Sequence, residues 1–222
     1  MRIRAEQIKK EFYRKSRGSN IFDAVSTCDF AMDEGTLTVI KGRSGGGKST
    51  LINMLSGILV PTEGKVLYGD IDIYKMNDRE LSCYRNSHIG YVPQGKSAIA
   101  SLTVMENIML PGILYGFRNE IEAVRLMDKF GISHLRDAMP EELSGGELRR
   151  MAIARALIKK PDVLFADEPT GDLDDENTTT VFEILREVAD NGTAVLVVTH
   201  ESDASKYADK VFRMDAGELS EE

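Results

Sequence analysis

Gly42, Gly47, Lys48 and Ser49 stand in the order G-x-x-x-x-G-K-S, a spacing that builds a cradle for a polyphosphate. The loop Ser44-Gly45-Gly46-Gly47 lets successive backbone N–H groups turn toward one anion, and a helix starting directly after it adds the positive end of its dipole. Lys48 would reach the β- and γ-phosphates, Ser49 would be a magnesium ligand, and Thr50 would add a further phosphate contact. A pair of carboxylates, Asp167 and Glu168, follows the apolar run 163–166, so it lies where a buried strand ends. There Asp167 would hold the magnesium and Glu168 would polarise an attacking water. Ser144-Gly145-Gly146-Glu147 precedes a run of small and apolar residues. It reads either as a capping box, Ser144 with Glu147, or as a second anion nest at a helix N-terminus.

These groups need elements to position them. The run 37–40 reads as a buried strand and 49–59 as a helix, which places the phosphate loop between strand and helix. Short antiparallel strands are expected over 3–12 and 20–30, and another strand over 65–68. A short helix is expected over 77–84, then a strand over 88–94 ending on Gln94, with Gly95 free to redirect the chain. Helical patterns over 104–110, 120–130 and 146–159, closed by Pro161, form an insertion in an otherwise α/β chain. Strand–helix alternation then resumes with a strand at 163–166, a helix at 179–189 and a strand at 194–199 ending at His200. Residues 211–214 and 217–219 suggest a closing hairpin.

With 222 residues the chain supports one sizeable α/β domain carrying an inserted subdomain. Lys+Arg number 28 against Asp+Glu 36, a net charge of −8, which argues against non-specific nucleic-acid binding as the main task. The stretch 2–17 is locally basic, with seven Lys or Arg against Glu6 and Glu11, and reads as a solvated face rather than a lipid contact. Cys28 and Cys83 have no metal-ligand spacing and fit free thiols in a reducing cytosol. The N-terminus lacks the apolar core of a signal peptide, and no apolar run is long enough to span a membrane, so a membrane role would come through a partner.

In the order of these motifs the sequence resembles the ATP-binding cassette (ABC) ATPases over almost its whole length. The resemblance implies an α/β fold: a P-loop NTPase, RecA-like core (36–64, 76–94 and 161–222), an antiparallel β-subdomain (1–35 and 65–75) and an inserted helical subdomain (95–160). It matches Ser144-Gly145-Gly146-Glu147 to the family signature, with glutamate where the pattern has glutamine. That implies an ATP-dependent homodimer in which each signature faces the partner's phosphate loop. Gln94 matches the Q-loop glutamine, expected near magnesium and the attacking water. Asp174 matches the D-loop aspartate of Gly171-Asp172-Leu173-Asp174, and His200 the switch histidine that would orient the water with Glu168. Phe12 and Tyr13 both match the adenine-stacking position, Phe12 better by spacing. His88 and His134 match nothing catalytic.

Within the family, the segment 101–116 and DEPTGDLD (167–174) look like the macrolide-exporter and lipoprotein-release branch. That implies a cytoplasmic ATPase held at the membrane by an integral permease, docked through a groove near Gln94 and 101–116. Met105, Ile108, Met109 and Leu110 fit either that groove or the core of the helical insert. A regulatory cassette of the cell-division type, signalling without transport, is the alternative. A soluble DNA-repair or ribosomal cassette fits less well, because only 163 − 49 = 114 positions, without sustained heptads, separate Ser49 from Val163.

Overall fold

The structure is a computed structural model that describes residues 2–13, 21–171 and 173–222. Arg14, Lys15 and Arg17 of the basic stretch, Asn20 at the expected start of a strand, and Asp172 lie outside the described residues. Two sheets organise the described chain. The first is antiparallel, β2-β1-β4-β5, formed by β1 (Ile3–Tyr13), β2 (Ile21–Met32), β4 (Glu63–Tyr68) and β5 (Ile71–Asp72). The second runs β10-β9-β3-β8-β7-β6, from β3 (Leu37–Lys41), β6 (Ile89–Val92), β7 (Val163–Asp167), β8 (Ala194–Thr199), β9 (Lys210–Asp215) and β10 (Glu218–Glu221).

Strands β3, β6, β7 and β8 are nearly continuous apolar runs because helices or the first sheet cover both faces. Their side chains alternate between two cores. Ile40, Phe165, Leu196 and Val198 pack toward α1 (Lys48–Leu55) and the first sheet, against Leu51, Leu55, Ile3, Met32 and Tyr68. Val39, Leu164, Ala166, Val195 and Val197 pack on the other side. There they meet α3 (Val104–Ile113), α4 (Glu120–Lys129), α5 (Gly145–Leu157) and α6 (Asp175–Asp190). Each fully buried Leu, Ile or Val contributes about 1.5–3 kcal/mol of transfer free energy, so both layers depend on this alternation.

Register levels the functional strand ends. Val39 pairs with Val197, Val197 with Ala166 and Ala166 with Val92, so one rung crosses β3, β8, β7 and β6. Gly42, His200, Glu168 and Gln94 therefore all leave the sheet two or three residues beyond one line, at the carboxyl ends where ligands gather in such sheets.

Several elements differ from the sequence expectation. Helix α1 stops at Leu55 rather than running to 59, because Ile58 and Leu59 N–H both turn back to the Asn53 carbonyl after Gly57 adopts φ +73°. Helix α6 starts at Asp175 rather than 179, since the Asp174 carboxylate accepts from the Asn177 N–H and caps it. Helix α2 (Asp78–His88) runs to 88 rather than 84, with Asn77 and Glu80 forming its capping box. Helix α3 continues past 110, through Pro111, to Ile113. The closing strands form the expected hairpin, and β9 also pairs in parallel with β3.

Candidate active site

The phosphate loop joins β3 to α1, and its geometry depends on glycine. A Cβ at Gly42 would lie 2.0 Å from the Met214 carbonyl, so only glycine fits against β9 there. Gly47 is the N-cap of α1 at φ +105° and makes no side-chain cap, and a Cβ on it would lie 2.3 Å from the Ala24 carbonyl. The first N–H groups of α1 thus meet no capping side chain, as an anion site at a helix N-terminus requires.

A cleft of about 540 Å³ opens over this loop. Ser44, Gly45, Gly47, Lys48, Ser49 and Thr50 line its floor, and Gln94 and Glu168 one side. Phe12, Phe22, Asp23, Ala24, Ala216 and Gly217 complete the wall. Phe12 and Phe22 are cross-strand partners with ring centroids 5.9 Å apart, while Tyr13 is exposed and does not line the cleft. Gly46 sits beneath, donating to Arg43 O and accepting from Gly217 N. Sequence reasoning missed Phe22, Asp23, Ala24, Ala216 and Gly217. A strand edge and a hairpin turn carry no local chemical pattern, and only the Ala216-Gly217 turn, both residues at positive φ, gives a weak signal.

Polar groups converge within the cleft and at its edge. Lys48 Nζ donates to the carbonyls of Gly42 at 2.7 Å and Arg43 at 3.1 Å, and stands 3.4 Å from Glu168 Oε1. Its side chain is only 5% exposed, so the ammonium is held by these oxygens rather than by water. Ser49 Oγ donates to Asp167 Oδ1 at 3.1 Å, bringing a hydroxyl and a carboxylate together across 118 positions of chain. Burial pushes the Asp167 carboxyl up from its ordinary range; the Ser49 hydrogen bond opposes this, Glu168 adds to it and Lys48 opposes it. His200 Nδ1 lies 2.8 Å from Glu168 Oε2, and the His200 N–H donates to the same oxygen at 3.3 Å. Glu168 itself is buried with φ +47°, a conformation that costs a non-glycine residue energy and here aims the carboxylate between Lys48 and His200.

The second glycine motif is built differently. Ser144 and Glu147 make a full capping box on α5, and Ser144 Oγ also donates to Glu147 Oε2 at 2.7 Å. Those bonds hold the Glu147 carboxyl below its usual range. Gly146 faces Asn177 so closely that a Cβ would lie 2.1 Å from Asn177 Oδ1. None of Ser144, Gly145, Gly146 and Glu147 lines the cleft that holds Lys48. Asp174 likewise serves its own helix, accepting from the Asn177 N–H and, with both oxygens, from Asn177 Nδ2, which together hold its carboxyl low.

The loop that carries Gln94 is tied to α5 on both sides of it. Arg149 Nη1 donates to the Pro93 carbonyl at 3.0 Å, and Arg155 donates to the Ser97 carbonyl at 2.8 Å and its Oγ at 2.6 Å. Met105, Ile108 and Met109, candidates for lining a partner groove, are buried in the helical layer and belong to its core, with Leu110 half-buried. The exposed apolar residues of this region among those described are instead Ile99, Leu114, Tyr115, Phe117 and Ile121. The spacing could not distinguish a groove-lining face of α3 from the face that packs on α5. Among the described residues, no helix is long and apolar enough to cross a membrane.

Residues 25–171 match the family model described as ABC transporter. The ATP-binding protein LolD of the lipoprotein-releasing system from Xanthomonas campestris pv. campestris (strain 8004) is 36% identical over 99% of this chain and 92% of its own length. Its counterpart from Aquifex aeolicus is 38% identical over 98% of this chain and 95% of its own. Among solved structures, a dimeric ATP-binding cassette in a post-hydrolysis state, bound to ADP and Pi, superposes with a TM-score of 0.89 at 30% identity. The match covers 99% of this chain and 97% of that one. A nucleotide-free cassette from an ABC transporter gives a TM-score of 0.85 at 28% identity, covering 100% and 91%. On its family match, its full-length relatives and its fold together, the chain belongs to the ABC transporter family, as one of its ATP-hydrolysing cassettes.

Proposed function

We propose that this cassette hydrolyses ATP between two copies of itself and so drives an integral membrane partner that extracts lipoproteins; its relatives are named as ATP-binding proteins of a lipoprotein-releasing system. The observation that carries the reading is that Lys48, Ser49 and Glu168 line one cleft and that Asp167 and His200, from the ends of two neighbouring strands, are hydrogen-bonded to Ser49 and Glu168 respectively. The triphosphate would lie along the loop from Gly42 to Thr50, with Phe12 against the adenine, and Lys48 would exchange its carbonyl partners for phosphate oxygens. Ser49, Asp167 and Gln94 present hard oxygen donors of the kind magnesium takes, and Ser49 and Asp167 already meet at 3.1 Å. When bound, the metal supplies charge neutralisation at the β- and γ-phosphate oxygens.

Glu168 would accept a proton from the water that attacks the γ-phosphorus, as the bond to the β-phosphate oxygen breaks and ADP leaves. His200 would hold that water and the γ-phosphate in line, through the ring that Glu168 orients. Because Ser144, Gly145 and Gly146 lie outside the cleft of their own chain, a second copy bringing its α5 N-terminus over this loop is the natural use for them. The exposed Leu114, Tyr115, Phe117 and Ile121, at the end of α3 and the start of α4, form the surface we assign to the membrane partner. Through it the protein would sit at the cytoplasmic face of the membrane.

Molar mass by light scattering after size exclusion tests the two-copy arrangement. Glu168→Gln should run as a monomer without nucleotide and as a dimer with magnesium-ATP. A monomer in both conditions, despite measured ATP binding, would remove the arrangement for the isolated cassette and assign closure to the membrane partner.

A further inference from the structure

The pair Glu168–His200 is joined one step further out by a second contact, buried at one end. Thr170 Oγ1 donates to Glu201 Oε1 at 2.8 Å, and Thr170 is 1% exposed. Thr170 lies two residues past Glu168 and Glu201 directly after His200, so the contact ties the loop leaving β7 to the loop leaving β8. The Glu201 end is fixed in turn by its own N–H, which donates to Oγ1 of fully buried Thr199. The Thr170 end belongs to a tight turn in which Gly171 N–H reaches Glu168 O and Leu173 N–H reaches Thr170 O.

Packing alone does not hold the histidine. Its side chain is 63% exposed, and its partner Glu168 sits in a left-handed backbone conformation that must be enforced from outside. Two anchors are available to enforce it: the Glu168 N–H bond to Val198 O within the sheet, and the Thr170–Glu201 bond beyond it. The first fixes strand height. The second fixes the lateral distance between the two loops, which sets where the imidazole stands relative to the carboxylate.

We infer that Glu201 is a positioning residue for hydrolysis: by accepting the Thr170 hydroxyl it holds His200 and Glu168 in register for the attacking water. The inference rests on the reading of Glu168 and His200 as the water-handling pair. It requires an acceptor at 201 and not a charge, because a hydroxyl donates to an amide oxygen as well as to a carboxylate, though less strongly.

Steady-state hydrolysis by the full chain tests it. Glu201→Ala and Thr170→Val should each lower kcat by about tenfold or more, as small misplacements of reacting groups do, while KM for ATP and the thermal shift given by ATP stay as in the parent. Glu201→Gln should restore the rate, and the double variant Glu201→Ala/Thr170→Val should be no slower than the slower single variant. Parental kcat in Glu201→Ala, a Gln variant as slow as the Ala variant, or losses that multiply in the double variant would each overturn the assignment. Thr170→Val keeps Glu201 in place, so it decides the matter even where Glu201→Ala folds poorly. Glu168→Gln is the control. Full activity there would sink the water-handling reading itself, whereas an inactive Glu168→Gln beside a fully active Glu201→Ala would sink the positioning role alone.

Discussion

Ser144 Oγ donates to Glu147 Oε2 at 2.7 Å, and the Ser144 N–H donates to the same oxygen at 2.8 Å. The carboxylate therefore takes up the hydroxyl proton that a facing phosphate would need, and it adds negative charge where a polyanion would dock. Glu147→Gln should tighten magnesium-ATP-driven dimerisation by about tenfold, because a neutral amide still completes the capping box. The monomer should lose about 0.3–1 kcal/mol from the missing charge at the α5 N-terminus. The Glu147 carboxyl is held low, so its stabilisation is present at neutral pH and is lost only as pH falls through that lowered folded-state value. Sedimentation equilibrium and thermal melts as a function of pH read the two effects, and a Gln variant that dimerises more weakly would contradict the argument.

Asp167 has the opposite sign. Burial raises its carboxyl, so the folded state binds a proton more readily than the unfolded chain does, and ionised Asp167 costs the empty protein stability once pH rises through the raised value. Asp167→Asn should therefore stabilise the nucleotide-free protein by about 1 kcal/mol, about 2–4 °C in melting temperature for a chain of this size. The same variant should lose the further stabilisation that magnesium adds to ATP. Melting curves with ATP plus chelator and with ATP plus magnesium separate these outcomes.

Arg155 is mostly buried, and burial lowers its pKa, yet it spends both terminal nitrogens on Ser97. Arg155→Ala should destabilise the fold by about 1–3 kcal/mol, the cost of stripping a buried polar contact. Arg155→Lys should recover only part of it, since a single ammonium lacks the planar fork that reaches carbonyl and hydroxyl together. Proteolysis of the 94–98 loop, followed by mass spectrometry, should quicken in the Ala variant; unchanged cleavage would mean the loop is held by other contacts.

Gly146→Ala should be costlier to the monomer than Gly145→Ala. The first Cβ would displace an Asn177 amide already held by Asp174 and Arg150, whereas the second meets only Leu173 Cδ2 at 3.3 Å. Displacing Asn177 loosens α5 from α6, at about 1–3 kcal/mol for an overpacked contact. Denaturant midpoints for the two variants check the order.

The chemistry was legible where it is written into a short contiguous stretch. The loop from Gly42 to Thr50, the Asp167-Glu168 pair after four apolar residues, and the strand ending at His200 each combine a local period with a residue type that has few other uses there. What escaped was non-local or locally disguised. The Thr170–Glu201 bond joins residues 31 apart, and the wall of the cleft comes from a strand edge and a hairpin turn that meet only in the fold. The first turn of α6 reads as polar coil because Asp175 to Thr178 show no apolar period, yet the Asp174 cap is enough to start it. In α3 the same residues satisfied both a core and a groove pattern, and only burial separates the two.

The shared rung of Val39, Val197, Ala166 and Val92 also bears on how the protein comes apart. Amides in the inner, buried strands β3, β7 and β8 exchange with solvent only through the largest openings of the molecule, whereas fraying segments exchange through small ones. Gly42, Glu168 and His200 are suspended directly from those slow strands. Heating or denaturant should therefore first release peripheral elements such as the short edge strand β5, while the phosphate loop persists until global unfolding. Nucleotide affinity is then one of the last native properties to vanish, and a partly unfolded cassette remains able to hold its fuel.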